Sequence, residues 1–541
     1  MTCSPTIREE TGAGPADAQD SPRPETSVLR DWVPLAILLV AAFFRFAWLD
    51  LKPPHHDEGV VAFMSEQITS RGYYAYDPTN YHGPLPFYLS FVSQRLFGRT
   101  IFAMRMPVVM LSMLSVGLIL AYREYFKEKA VRWAALAMAV SPSPVYFGRQ
   151  CAHEAGFMFF NVLMVFGVIG LCRGGARRDL WATGLGLAGM VLCKETYAIH
   201  VFAVLLAIPA LWVVRKISPS SIEQRPQRTW KMGDVIRVTC VSLGIVLFFY
   251  SGTFMNWKGV AGLWTTWQSW VGRGLAEDAQ GKPWYYYFQL LAEYEWTVLL
   301  GIVAAVLVLV PGTRRETRLI ALIGLAAACG YSIVSYKTPW LIMSWSWPFY
   351  ILFGLGVVAV EKYAGRRFAG VAAGLVILLM AAKSWSLNFH NYAPRGDTFP
   401  YPEPYAYVQA LDDLHKITDP LDALIALDPV NQHISGAMIG GEQFPLPWML
   451  GQFWRIGWYG RDAGGQIAMP PDWNLDFIQA HADVRDEVEK KLTDAYFKED
   501  FQIRNMGGDR STLYFRASVF APVFPGRVPE FIPGMKSKVT R

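Results

Sequence analysis

Charge is what this chain has least of. Only 17% of its 541 residues are Asp, Glu, Lys or Arg, while 52% are hydrophobic and 14% aromatic. Soluble domains carry about 25% charged residues, so the composition excludes an ordinary soluble protein. Cysteine is also scarce. The six are Cys3, Cys151, Cys172, Cys193, Cys240 and Cys329, with no CxxC pair. That scatter excludes a thiol redox motif, and cysteines in apolar runs behave as small hydrophobes. The chain after Cys329 has none, so its fold needs no disulfide. Phosphate-cradling Gly-rich loops, nucleophile elbows, zinc-ligand spacings and internal repeats are absent. Residues 1–31 have no apolar core and no signal-peptide pattern, and read as a disordered tail.

What is present is a series of apolar runs near the length of about 20 residues that crosses a bilayer. Eleven are expected, near 33–50, 104–122, 132–147, 154–172, 180–194, 196–214, 236–253, 294–311, 318–335, 340–360 and 367–383. Alternate loops are basic, with Arg123, Lys127, Lys129 and Arg132; Arg173, Arg177 and Arg178; Arg215, Lys216, Arg225, Arg228 and Lys231; Arg314, Arg315 and Arg318; and Lys362, Arg366 and Arg367. The positive-inside rule places these loops in the cytoplasm, the N-terminus inside and the C-terminal segment outside the cytoplasmic (inner) membrane. The net charge of +6 therefore orients the chain and does not suggest a nucleic-acid partner.

The fold class expected is a polytopic α-helical membrane protein of about eleven helices with a C-terminal extracytoplasmic α/β domain. Residues 32–383 form the membrane part and 384–541 the outer domain, after a linker with Pro394, Pro400, Pro402 and Pro404. Leu85 to Phe97 is short for a span and fits an interfacial helix. Gly252 to Trp296 is an outer loop rich in Trp and Tyr. It reads first as an aromatic belt and second as a platform for a sugar ring or lipid tail. In the C-terminal segment, Ala423–Leu427 reads as a buried strand, Val484–Phe497 as an amphipathic helix and Ser511–Arg516 as a final strand.

Five polar clusters fall where spans meet the outer water. They are His55-His56-Asp57-Glu58, the Tyr76–Pro84 loop with His82, Arg149 with His153-Glu154, Lys194-Glu195, and Tyr336-Lys337 with Trp340. Charged groups at such positions are costly to desolvate and mark a site unless a structural ion pair explains them. Asp57 opens a helix-compatible stretch. It is either an N-cap or a general base for an acceptor hydroxyl. Glu58 stands beside it, and an N-cap alone does not explain that acid. Arg149, Lys194 and Lys337 are candidate phosphate ligands. His55, His56, His82, His153, Glu154, Glu195, Tyr336 and Trp340 are candidates for orienting a substrate, although His82 in His82-Gly83-Pro84 also fits a simple turn. His55 to Glu58 with His153 and Glu154 could hold a divalent cation such as Mg or Mn, without matching a known metal motif.

The same residues carry a resemblance. In order they are Arg45, His55-His56-Asp57-Glu58, Tyr76-Asp77-Pro78, Tyr81-His82-Gly83-Pro84, Ser141-Pro142-Ser143 with Tyr146 and Arg149, His153-Glu154, Lys194-Glu195-Thr196, Tyr336-Lys337-Thr338-Pro339-Trp340, Pro445-Leu446-Pro447-Trp448 and Gly457-Trp458-Tyr459-Gly460. The series, covering about residues 40–516, resembles the membrane glycosyltransferases known as flippase-activity-associated proteins. These are similar to dolichyl-phosphate-mannose protein mannosyltransferases of the GT-C superfamily. The resemblance implies a polyprenyl-phosphate sugar donor, with Asp57 and Glu58 as the acids of the first outer loop. The acceptor implied is a hydroxyl on a glycan, lipid or protein. The sequence departs from the family at Gly148, where a serine is usual, and at Gln150-Cys151-Ala152. A lipid-linked glycan flippase and a non-catalytic assembly subunit are the alternative functions.

Overall fold

The computed structural model describes residues 31–80, 82–217, 228–275, 281–310, 312–390, 403–441, 443–462, 464–504 and 510–534. The expected tail, most of the Pro-rich linker and Arg225 lie outside them. Among the described residues, seven helices are long and apolar enough to cross a membrane: Ile101–Glu124, His153–Arg173, Tyr197–Ile217, Met232–Tyr250, Arg315–Ile333, Pro339–Ala364 and Arg366–Phe389. The pair Tyr286–Tyr294 and Trp296–Leu307, bent by 118°, makes an eighth if counted as one span. The other expected spans fall on shorter helices, Val33–Phe46, Glu128–Val140 and Arg177–Cys193. All eleven apolar runs are thus helical, while among the described residues eight at most pass as full spans by length and composition. The chain is an integral membrane protein.

Packing ranks the helices. Pro339–Ala364 has 83% of its apolar window buried and forms the axis of the bundle, whereas Met232–Tyr250 has 11% and lies at the rim. Close approach to the axis depends on small residues. A Cβ on Gly354 would stand 2.0 Å from the Ala130 carbonyl oxygen. A buried polar group sits at the 118° bend. Glu295, fully buried between the two short helices, accepts hydrogen bonds from the Ser143 amide (2.5 Å), the Ser141 hydroxyl and the Tyr350 hydroxyl (3.1 Å). A buried carboxylate is tolerated when its lone pairs are met in this way. Arg45, also fully buried, donates to the Ala139 and Met138 carbonyl oxygens at 2.8 and 3.2 Å. It thereby ties the first helix to the orphan carbonyls that end Glu128–Val140.

The C-terminal segment is a five-stranded mixed sheet: β1 Gly436–Ile439, β2 Ile456–Tyr459, β3 Phe477–His481, β4 Tyr496–Gln502 and β5 Arg510–Arg516, in the order β2-β1-β3-β5-β4. The β2-β1-β3 half is parallel, and β5 pairs antiparallel with β3 and β4. Period-two alternation sends Leu513 and Phe515 to one core and Tyr514 to the other, so both faces are covered. The final strand was legible in the sequence; two other expectations are corrected. Ala423–Leu427 ends the helix His415–Leu427, whose Ile417, Leu421 and Leu424 recur at helical spacing and are buried. Val484–Phe497 holds only the short helix Arg485–Glu489 before β4 begins at Tyr496.

This domain is clamped to the helix bundle by side chains from both. Rings of Phe444 and His56 lie 5.6 Å apart, and the Trp448 indole N–H donates to Gln94 Oε1 at 3.0 Å. Tyr405 stacks on Tyr294 at 4.0 Å, and Gln409 Nε2 donates to the Pro53 carbonyl oxygen at 3.2 Å.

Candidate functional site

The helix His56–Arg71 explains how its acidic opening divides its labour. His55, not Asp57, is the N-cap: its Nδ1 accepts the Asp57 amide at 3.1 Å. Glu58 returns the box by accepting the His55 amide at 2.8 Å. Its carboxylate also takes both arms of Arg105 (2.8 and 2.6 Å) and the Cys151 amide at 2.6 Å. Arg105 in turn binds the carbonyl oxygens of Leu49, Lys52 and Pro53 and fixes the loop before the helix. Glu58 is fully buried with every direction occupied. Asp57 is left half-buried, its carboxylate without a hydrogen bond or ion pair among the described residues, and it lines a cavity of about 590 Å³.

That cavity gathers most of the expected residues: His55, His56, Asp57, His82, His153, Glu154, Lys194, Glu195, Tyr336 and Trp340. Glu195 pairs with His82 Nδ1 at 3.0 Å, and Lys194 pairs with Glu154. The His153 ring lies tilted against that of His82 with centroids 4.5 Å apart, its buried Nε2 without a hydrogen-bond partner among the described residues. Trp340 stands 5.9 Å from both His55 and Tyr407 and gives the cavity an aromatic wall. His82 is held by its turn as well. A Cβ on Gly83 would sit 2.2 Å from the Leu192 carbonyl oxygen, so only glycine lets this loop lie against the end of Arg177–Cys193. Burial pushes the Asp57 carboxyl up, but His55, His56, His82 and Lys194 outweigh it and hold it below its ordinary 3.8.

The structure does not bring Glu58, Arg149 or Lys337 to the cavity wall. Arg149 donates to the carbonyl oxygens of Phe44, Arg45 and Trp48 at 2.8–3.2 Å and closes the end of the first helix. Lys337 Nζ donates to the Lys282 carbonyl oxygen at 3.1 Å and to that of Val334. The proposed cation ligands do not fit a metal. Glu58 is consumed by Arg105 and Glu154 by Lys194, and among the described residues no three His, Cys, Asp or Glu form a ligand group. The departure at Gly148 has a steric reason: a Cβ there would lie 2.4 Å from Ser112 Oγ.

Sequence reasoning missed one wall. Tyr407, Val408 and Arg504 line the cavity from the C-terminal domain, and the Tyr407 carbonyl oxygen lies 2.9 Å from His55 Nε2. Trp270, from the aromatic loop, also reaches it. No motif marks these residues; only the left-handed backbone at Val408 (φ 58°) singles one out, and that is invisible in sequence.

The family model for dolichyl-phosphate-mannose-protein mannosyltransferases matches residues 81–222, less than half of the chain. No curated protein matches the sequence. Among solved structures, ArnT from Cupriavidus metallidurans bound to undecaprenyl phosphate is 14% identical. The match covers 89% of this chain and 97% of that one, with a TM-score of 0.56. The apo state of the same protein gives 14% identity, 90% and 98% coverage and a TM-score of 0.54. The family match runs from the His82 loop through the Glu195 turn, and over nearly the whole chain the fold is similar to that of ArnT.

Proposed function

We propose that this protein is an inverting glycosyltransferase. It would take a sugar from a polyprenyl-phosphate donor and pass it to an acceptor hydroxyl at the outer face of the membrane. The carrying observation is Asp57: of the three carboxylates on the cavity wall, Glu154 and Glu195 are ion-paired and Asp57 has no such partner among the described residues. The solved ArnT bound to undecaprenyl phosphate supports a lipid-phosphate donor.

In this reading the acceptor O–H gives its proton to Asp57 while its oxygen bonds to the anomeric carbon. The bond from that carbon to the phosphate oxygen breaks, and its electron pair leaves with the polyprenyl phosphate. Lys194 faces the growing negative charge, oriented by Glu154. His82 and Glu195 hold the opposite wall, and Trp340 with Tyr407 offers an apolar face to the sugar ring. Glu58 and Arg149 position the Asp57 helix and the loop before it.

The orientation has geometric support. Helices His153–Arg173, Tyr197–Ile217 and Pro339–Ala364 begin at the cavity and end at basic clusters, while Arg315–Ile333 runs the other way. Those clusters meet one another, as in Arg173 with Glu316 at 3.3 Å and Arg178 with Glu124. The cavity therefore opens at the end opposite the positive loops, the outer face under the positive-inside rule.

The test is transfer of labelled sugar from a polyprenyl-phosphate donor by purified protein in lipid. Asp57→Asn is expected to lose activity about 10²–10⁴-fold, the usual contribution of a positioned base. Undiminished transfer by that variant would remove Asp57 from the role. Movement of intact donor lipid without cleavage would favour a flippase.

A further inference from the structure

A second cavity, of about 310 Å³, lies where the ends of three helices part. Leu38 lines it from the start of Val33–Phe46, Gly117 and Leu120 from the end of Ile101–Glu124, and Val131 from the start of Glu128–Val140. Val33–Phe46 begins at this cavity and ends before the loop that carries His55, so about 20 Å of helix separates it from the candidate site.

Gly117 makes the room. A Cβ on it would meet only Leu38 Cδ2, at 4.0 Å. Met110, Leu114, Gly117 and Ala121 recur at helical spacing and share one face of Ile101–Glu124. Met110 and Leu114 are exposed, and the helix is one that can cross the membrane, so that face meets lipid. The cavity therefore continues into an apolar track open to acyl chains.

Its rim is basic. Arg123 is exposed and makes no hydrogen bond or ion pair among the described residues. Arg132 is joined to Asp31 and, at 2.5 Å, to Glu128. The charged lining residues are two arginines and one glutamate, a net charge of one positive unit. An apolar track that ends at the membrane boundary in one net positive charge matches a lipid with one phosphodiester, because basic pockets between spans attract anionic head groups.

We propose that this cavity binds an anionic phospholipid, with its phosphate at the Arg123 guanidinium and one acyl chain along Gly117 and Leu114. A guanidinium fork suits phosphate oxygens. Under the orientation proposed above the lipid belongs to the inner leaflet. The site itself depends neither on that orientation nor on sugar transfer.

The experiment is native mass spectrometry of the full-length protein, measuring affinity for the tightest-held lipid. The probes are phosphatidylglycerol and phosphatidylcholine with identical acyl chains. Wild type is expected to prefer phosphatidylglycerol. Arg123→Gln should weaken that lipid about fivefold, what one basic residue contributes near a lipid surface, and leave phosphatidylcholine unchanged. Gly117→Leu should fill the track and weaken both lipids, whereas Gly117→Ala, whose methyl has room, should weaken neither. Wild type that holds both lipids equally would overturn the proposal, as would Arg123→Gln or Gly117→Leu binding like wild type. Displacement of phosphatidylglycerol by an equal concentration of inorganic phosphate would make this a free-phosphate site and overturn it too. All three variants should unfold at the wild-type temperature in detergent; early unfolding of Gly117→Leu would mean that packing closes the track and that no chain enters it.

Discussion

Asp57 and Glu58 are adjacent acids with opposite fates, and the difference is one of direction. Glu58 turns back over the helix start into Arg105, His55 and Cys151; Asp57 turns into the cavity among three histidines and Lys194. Breaking a buried ion pair leaves an uncompensated charge and costs about 3–5 kcal/mol. Glu58→Ala is therefore expected to lower thermal stability in detergent sharply, with activity falling in proportion to folded protein. A selective loss of turnover at unchanged stability would instead return Glu58 to the chemistry. Asp57 also predicts a pH profile. A base works when deprotonated, so its competence is present above its pKa and lost as pH falls through it. With that pKa held below 3.8, the acid limb of transfer should lie below 3.8, and His82→Asn should move the limb upward. A limb that His82→Asn leaves in place would argue that another group sets it.

At the scale of elements, the helix His56–Arg71 joins the two parts of the molecule. A Cβ on Gly59 would stand 2.5 Å from Pro445 Cα, so the helix accepts the C-terminal domain only because that position is bare. Gly59→Val is expected to unseat Phe444 and Pro445 from it. Transfer should drop at least about tenfold, and limited proteolysis should cut the C-terminal domain faster while the helices persist. Unchanged activity would mean the clamp is not needed. Element identity was legible where an apolar run was well bounded, as in Leu85–Phe97, which is a helix with those same ends. It failed for Ala423–Leu427, where five apolar residues carry no period of their own and the helix is set by Ile417, Leu421 and Leu424 together.

For the whole molecule, the proposed orientation makes a direct prediction. A single cysteine at Arg366, in the basic cluster, should react with an impermeant thiol reagent only from the cytoplasmic side. One at exposed Asp500, on β4, should react only from outside. The reverse pattern would invert the protein and put the cavity where nucleotide-activated donors are found.

The membrane class, the helical runs, the basic ends and ten of the residues that meet at the cavity can be read without the fold. These are local properties: apolar length, loop charge, and polar groups placed at the ends of spans, where desolvation makes each one conspicuous. Tertiary structure decided which of those polar groups face inward. Arg149 and Lys337 have the right charge at the right depth, yet neighbouring backbone carbonyls take their donors. Only the folded chain brought Tyr407, Val408 and Arg504 to His55 and His56. Contacts more than 350 positions apart leave no periodic or compositional trace, because they are fixed by how two separately packed cores meet.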